Sequence, residues 1–89
     1  MSRERRRSAI HEPEYQYLIA RVREARHESG LTQVEVARIL ERPLSFVSKV
    51  ELGERRLDPI DLQLLAEIYE KPYEYFLPTR GRPGRRPKG

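Results

Sequence analysis

LTQVEVARILERPLSFVSKVELGERRLD, residues 31–58, decides the fold, because it reads as two short helices joined by a tight corner. Thr32 is placed to cap the first helix: its hydroxyl accepts an orphan backbone N–H, while Glu35, three positions on, reaches back to the cap's own N–H. Val36, Ala37 and Leu40 then give a narrow apolar face to a helix of about 9 residues, a usual length in a small bundle. Pro43 breaks the run. The residue before a proline is pushed out of the α region, so the first helix stops by Glu41 or Arg42, and a second begins with Pro43 in its first turn. Val47 and Val50 face inward from that second helix, and Gly53 supplies a left-handed C-cap.

Two helices of this size, with roughly 3–4 residues of turn between them, match the helix-turn-helix motif, whose second member enters the DNA major groove. The ordered set Gln33, Ala37, Ser45, Ser48, Lys49, Glu51 and Gly53 lies within LTQ-x5-IL and S-x2-S-K-x-E-x-G-E-R-R. It resembles the lambda-repressor-like, Xre/Cro-type helix-turn-helix DNA-binding domains, and the resemblance covers residues 15–77. It implies an all-α fold, a compact five-helix bundle containing the helix-turn-helix, with flexible basic N- and C-terminal tails. The chain departs from the group's usual pattern at three positions. Glu41 stands where a corner glycine is frequent, Pro43 where a Ser or Thr cap is common, and Val50 where Trp or Tyr is frequent.

Eighty-nine residues make one domain with tails, and a chain of this size buries a marginal core, which makes self-association a reasonable expectation. Cysteine is absent, so disulfides and thiolate metal sites are excluded. No apolar run approaches the roughly 18 residues that span a bilayer, and the Arg-rich N-terminus lacks the apolar stretch of a signal peptide. A cytoplasmic protein without a membrane partner is the expectation.

The net charge of +4 is unevenly spread. Residues 1–13 carry four arginines against two acids, residues 14–77 nine bases against twelve acids, and residues 78–89 five bases and no acid. The folding part is therefore mildly acidic, and positive charge for a polyanion has to be placed locally.

Residues 1–13 form a basic N-terminal arm, with Arg3, Arg5, Arg6 and Arg7 and no periodic apolar face; it is either a solvated terminus or an arm that touches phosphates. Pro13 and Glu14 start a helix on which Tyr15, Leu18, Ile19 and Val22 share one face, with Gly30 as its stop. Arg26 falls in register with that apolar stripe, and a buried guanidinium needs a carboxylate. Glu51, in register with Val47 and Val50, is the candidate, and in the resembling group an Arg and a Glu at these places pair beneath the recognition helix. Asp58-Pro-Ile-Asp61 starts a fourth helix, whose Leu62, Leu65, Ala66 and Tyr69 close the core. A second row, Ile60, Leu64 and Ile68, lies on an adjacent face. With Tyr75 and Phe76 it is assigned in part to a two-fold dimer contact; the alternative is that a fifth helix over residues 73–77 covers it. Residues 14–77 thus make the domain and residues 78–89 a disordered basic tail. Arg80-Gly81-Arg82-Pro83 in that tail resembles the core of the AT-hook, which would set Arg80 and Arg82 into an A·T-rich minor groove; a tail making phosphate contacts only is the alternative.

Catalytic chemistry finds no support. His11 and His27 have no partners at metal spacing, no histidine completes a triad, and no Gly-rich loop follows a strand, so neither a metal nor another cofactor is expected. Binding is better served. By resemblance, Leu44, Ser45, Ser48 and Lys49 face base edges: Ser bonds either base type, Lys49 favours guanine acceptors, and Leu44 either meets a thymine methyl or staples onto the preceding helix. Gln33 would hold a phosphate at its helix N-terminus, and Arg42, Arg55 and Arg56 would clamp the backbone, with Glu54 partly neutralising Arg55. Phe46 either fills the edge of the core or stands against the sugar backbone. The leading expectation is a sequence-specific regulator of transcription that binds double-stranded DNA as a homodimer on a palindrome. The alternative is a protein-interaction module, such as an antitoxin or a subunit of a larger complex, whose partner covers the fourth and fifth helices.

Overall fold

The computed structural model describes residues 12–78. The basic arm up to His11, and the tail from Thr79 with its Arg80 and Arg82, lie outside the described residues. Four α-helices follow in order: α1 (Pro13–Ser29), α2 (Gln33–Leu40), α3 (Leu44–Leu52) and α4 (Pro59–Tyr69), and a 3-10 helix, Tyr73–Phe76, closes the described chain. Among the described residues there is no strand.

Local chemistry accounts for the boundaries. Pro13 occupies the first turn of α1, and Gly30 ends it in the left-handed conformation at φ 74°. Thr32 and Glu35 form the reciprocal capping box at the start of α2, with Thr32 Oγ1 accepting from the Glu35 N–H at 3.1 Å and Glu35 Oε1 accepting from the Thr32 N–H at 2.8 Å. Asp58 caps α4 by accepting from the Asp61 N–H at 2.8 Å. Gly53 ends α3 at φ 80°. The corner between α2 and α3 is turned without glycine: Glu41 itself takes the left-handed conformation, φ 59° and ψ 44°.

Two expectations are corrected. Pro43 is the residue before α3 and not part of its first turn, since its ψ of 152° is extended and no side chain caps the helix there. The fifth element is a single 3-10 turn and not an α-helix. It has only five residues between Pro72 and Pro78, Pro78 has no N–H to extend the ladder, and Leu77 before it is held extended at ψ 141°.

The core draws on every element: Ile19, Val22 and Ala25 from α1, Val36 and Ala37 from α2, Phe46, Val47 and Val50 from α3, Leu62, Leu65, Ala66 and Tyr69 from α4, and Phe76 from the last turn. α2 and α3 pack on each other more extensively than any other pair, while α1 runs behind them and also touches α4 and the 3-10 turn. Arg21 on α1 fastens that last turn: its Nε donates to the Tyr75 carbonyl at 3.2 Å and its guanidinium lies 3.7 Å from the Tyr75 ring centroid. Phe76, expected at a dimer contact, has no exposed surface and belongs to the core of this chain. Tyr75 is half-buried against Phe76 and under Arg21 and Lys71. Ile60 and Leu64 are left uncovered, 64% and 40% exposed, so the 3-10 turn does not close over that row. Among the described residues no helix is long and apolar enough to cross a membrane.

Candidate nucleic-acid interface

α3 has two faces of different chemistry. Phe46, Val47, Val50 and Glu51 are buried; Leu44, Ser45 and Lys49 are exposed, and Ser48 is half-buried between them. The spacing alone produces this division, because 46, 47, 50 and 51 fall on one side of a helix and 44, 45, 48, 49 and 52 on the other. The outer side carries one cation, Lys49, which makes no ion pair among the described residues. It carries no carboxylate, since Glu51, the one acid of α3, is turned inward. Ser48 Oγ lies 3.4 Å from the Ser45 carbonyl, a long bond back onto its own helix.

Beneath α3 sits a polar lock. Glu51 Oε2 accepts from Arg26 Nε at 2.7 Å, and Glu51 Oε1 accepts from Arg26 Nη2 at 3.0 Å and from Gln33 Nε2 at 2.9 Å. Arg26 Nη1 also donates to the Leu31 carbonyl at 3.0 Å, and Arg23 Nη1 to the Glu51 carbonyl at 3.4 Å. The side chains are 12% and 3% exposed for Arg26 and Glu51, so the pair is shielded from solvent and needs each of these bonds. The bond to Glu51 raises the Arg26 pKa further above its ordinary value, against the opposing effect of burial. One consequence concerns Gln33. Its amide was expected to reach a phosphate, but one of its N–H groups is engaged by Glu51, so the residue ties the start of α2 to α3.

The arginines around α3 rest on aromatic rings. The guanidiniums of Arg42 and Arg55 lie 4.5 and 5.0 Å from the Phe46 centroid, and that of Arg56 lies 5.5 Å from the Tyr15 centroid. Arg42 Nη2 also donates to Asp61 Oδ1 at 3.0 Å. Among the described residues no ion pair joins Glu54 to Arg55. Phe46 fills the core edge, with 7% of its surface exposed, and carries arginines on what remains.

The model of the helix-turn-helix domain matches residues 18–72, more than half of the chain and the whole of α2, the corner and α3. The chain belongs to the helix-turn-helix domain family. Within the matched residues α2 and α3 are the two helices on either side of the tight corner. The HTH-type transcriptional regulator PrpR of Mycobacterium tuberculosis is 39% identical over 57 residues, which is 64% of this chain and 12% of that protein. The chain thus spans about an eighth of the length of that curated relative. No solved structure matches the chain.

Three features of this helix-turn-helix domain escaped the reading of its sequence. Leu52, 68% exposed, extends the outer row Leu44, Ser48, Leu52 at intervals of four, a pattern visible in the sequence but masked by its apolar character, which suggests a core residue. Asp61 is a buried partner of Arg42 in addition to its place in the first turn of α4. Tyr15 accepts a bond from the Leu57 N–H at 3.0 Å, a contact between residues 42 positions apart that no local pattern signals.

Proposed function

We propose that this chain is a cytoplasmic, sequence-specific regulator of transcription that binds double-stranded DNA with α3 in the major groove. The observation that carries the reading is the outer side of α3: uncovered by the described residues, free of carboxylates, and backed by a buried ion pair that fixes the helix against α1. Leu44, Ser45, Ser48 and Lys49 meet base edges, and Arg42, Arg55 and Arg56 meet the sugar-phosphate backbone, dividing specificity from affinity in the usual way. Gln33 retains a second amide N–H for a phosphate beside its engagement with Glu51. Residues 14–77 act as the binding domain, with the basic residues 1–13 and 78–89 adding sequence-independent phosphate contacts. Removal of residues 79–89 then flattens the dependence of affinity on salt and leaves the sequence preference intact. The family membership and the name of the mycobacterial relative support a regulator; the Xre/Cro-type assignment rests on the sequence resemblance.

The chain acts as a homodimer on a palindrome, its half-sites about 34 Å apart, through the row Ile60, Leu64 and Ile68. The same exposed row favours a second reading, in which another protein occupies it and the chain is an interaction module. Selection of duplexes from a random pool tests the regulator reading. Recovery of a palindrome supports it, and Lys49→Ala should then relax base choice at one position per half-site by about 1–3 kcal/mol. A pool that shows no enrichment, with the purified chain folded, removes it.

A further inference from the structure

A phosphate contact made by arginine carries an entropic cost, because a long side chain has to give up its rotamer freedom to make it. In this chain part of that ordering precedes any ligand. Arg42 and Arg55 both lie over the Phe46 ring, at 4.5 and 5.0 Å from its centroid, and Arg56 lies over Tyr15 at 5.5 Å, all within the range of about 6 Å at which the quadrupole of a ring attracts a cation. The rings are themselves fixed. Phe46 is buried in the core, and Tyr15 is half-buried on α1 with its hydroxyl accepting from the Leu57 N–H at 3.0 Å. That bond holds the backbone immediately after Arg55 and Arg56. A ring beneath a guanidinium engages its face and leaves its in-plane N–H donors for an anion.

We propose that Phe46 and Tyr15 are positioning residues for the DNA backbone: their rings hold Arg42, Arg55 and Arg56 in place before the duplex arrives. The inference rests on the DNA-binding reading above. Neither residue touches a phosphate; each acts through the arginines it carries. Arg42 has two partners, since Asp61 accepts from its Nη2 at 3.0 Å while its guanidinium carbon lies 4.5 Å from the Phe46 centroid. The contacts are sequence-independent, so their loss weakens binding to every duplex alike and leaves base choice where it was.

The experiment is a mutant cycle on the full chain, read as affinity for a pool of random-sequence duplexes over a range of salt. Phe46→Leu keeps an apolar side chain in the core and removes the ring; it should weaken binding by roughly 3- to 10-fold. In a chain already carrying Arg42→Ala and Arg55→Ala, the same change should have less than about a 2-fold effect, because there is nothing left for the ring to position. An undiminished effect in that background assigns Phe46 to the core alone and overturns the proposal, as does a folded Phe46→Leu chain that binds as tightly as the parent. Should Phe46→Leu fail to fold, Tyr15→Leu measured with and without Arg56→Ala gives the same two outcomes. A parent chain that binds no duplex brings down the DNA-binding reading itself, an outcome distinct from a parent that binds and variants that do not differ from it.

Discussion

Arg26 on α1 grips Glu51 on α3 through two bonds, 2.7 Å from Nε and 3.0 Å from Nη2, in a site nearly closed to solvent. Replacing either partner alone strands a charge that is largely shielded from water. Glu51→Leu is therefore expected to cost about 3–5 kcal/mol of folding stability, while Arg26→Met combined with Glu51→Leu costs less than the sum of the two single changes. Denaturant unfolding of the four proteins tests this. Additive losses would show that the pair does not act as a unit.

The corner between α2 and α3 holds Glu41 at φ 59°, a conformation that costs an L-residue roughly 1–2 kcal/mol and glycine almost nothing. Glycine also loses about 0.5–1 kcal/mol through the greater freedom of its unfolded chain. Glu41→Gly should accordingly raise stability by about 0.5–1 kcal/mol, and Glu41→Val, with its branched Cβ, should lower it. The midpoint of urea unfolding reads both signs. A loss of stability in the glycine variant would mean that the Glu41 side chain contributes more than its backbone costs.

The Tyr69 hydroxyl is buried and has no hydrogen-bond partner in this structure. Burial raises its pKa, and the charge of nearby Glu51 raises it further. The folded state thus keeps a proton that the unfolded chain gives up near pH 10, so the associated stability is fully present below about pH 10 and is lost as pH rises beyond it. Tyr69→Phe removes both the stranded hydroxyl and this linkage. It should be neutral or stabilising by up to about 1 kcal/mol at pH 7, and should shift alkaline unfolding to higher pH. A destabilised variant with an unchanged alkaline limb would show that the hydroxyl has a partner in solution.

Most of what was legible in the sequence was local; the exception is the Arg26–Glu51 pair, which register on two apolar faces and the family resemblance put together. Thr32 with Glu35, Asp58 before Pro59, and the glycines at 30 and 53 mark helix ends because each acts on backbone groups within a turn of itself. Pro43 misled by one position, since its fixed φ of −63° suits both a cap and a first helical residue, and only ψ separates them. Phe76 looked like surface because a short aromatic cluster has no periodicity to give its direction; in the structure it joins the apolar core while Arg21 binds the neighbouring Tyr75. The aromatic platforms were invisible for a related reason. Tyr15 meets Arg56 and Leu57 only through folding, so no spacing rule could place that contact, and Arg42 and Phe46, though four residues apart, lie across the non-helical corner, where no helical spacing applies.

Ile60 and Leu64 sit four residues apart on α4 and remain exposed once the 3-10 turn has packed, while Ile68, one turn further, is partly covered by the core. A row of this kind on a small chain gains free energy when a second copy buries it, and two-fold symmetry lets the same row serve both partners. Joining two α3 helices in this way converts the second half-site contact into an intramolecular step, which strengthens binding to a palindrome by roughly 100-fold or more without any new DNA contact. Leu64→Asp places a charge at the centre of the row, one turn from Asp61. It should yield a monomer by sedimentation, leave affinity for an isolated half-site unchanged, and remove the roughly 100-fold advantage of the palindrome. A variant that still sediments as a dimer would move the two-fold contact off α4, and a parent that is already monomeric at the concentrations that bind DNA would leave the row to a different protein.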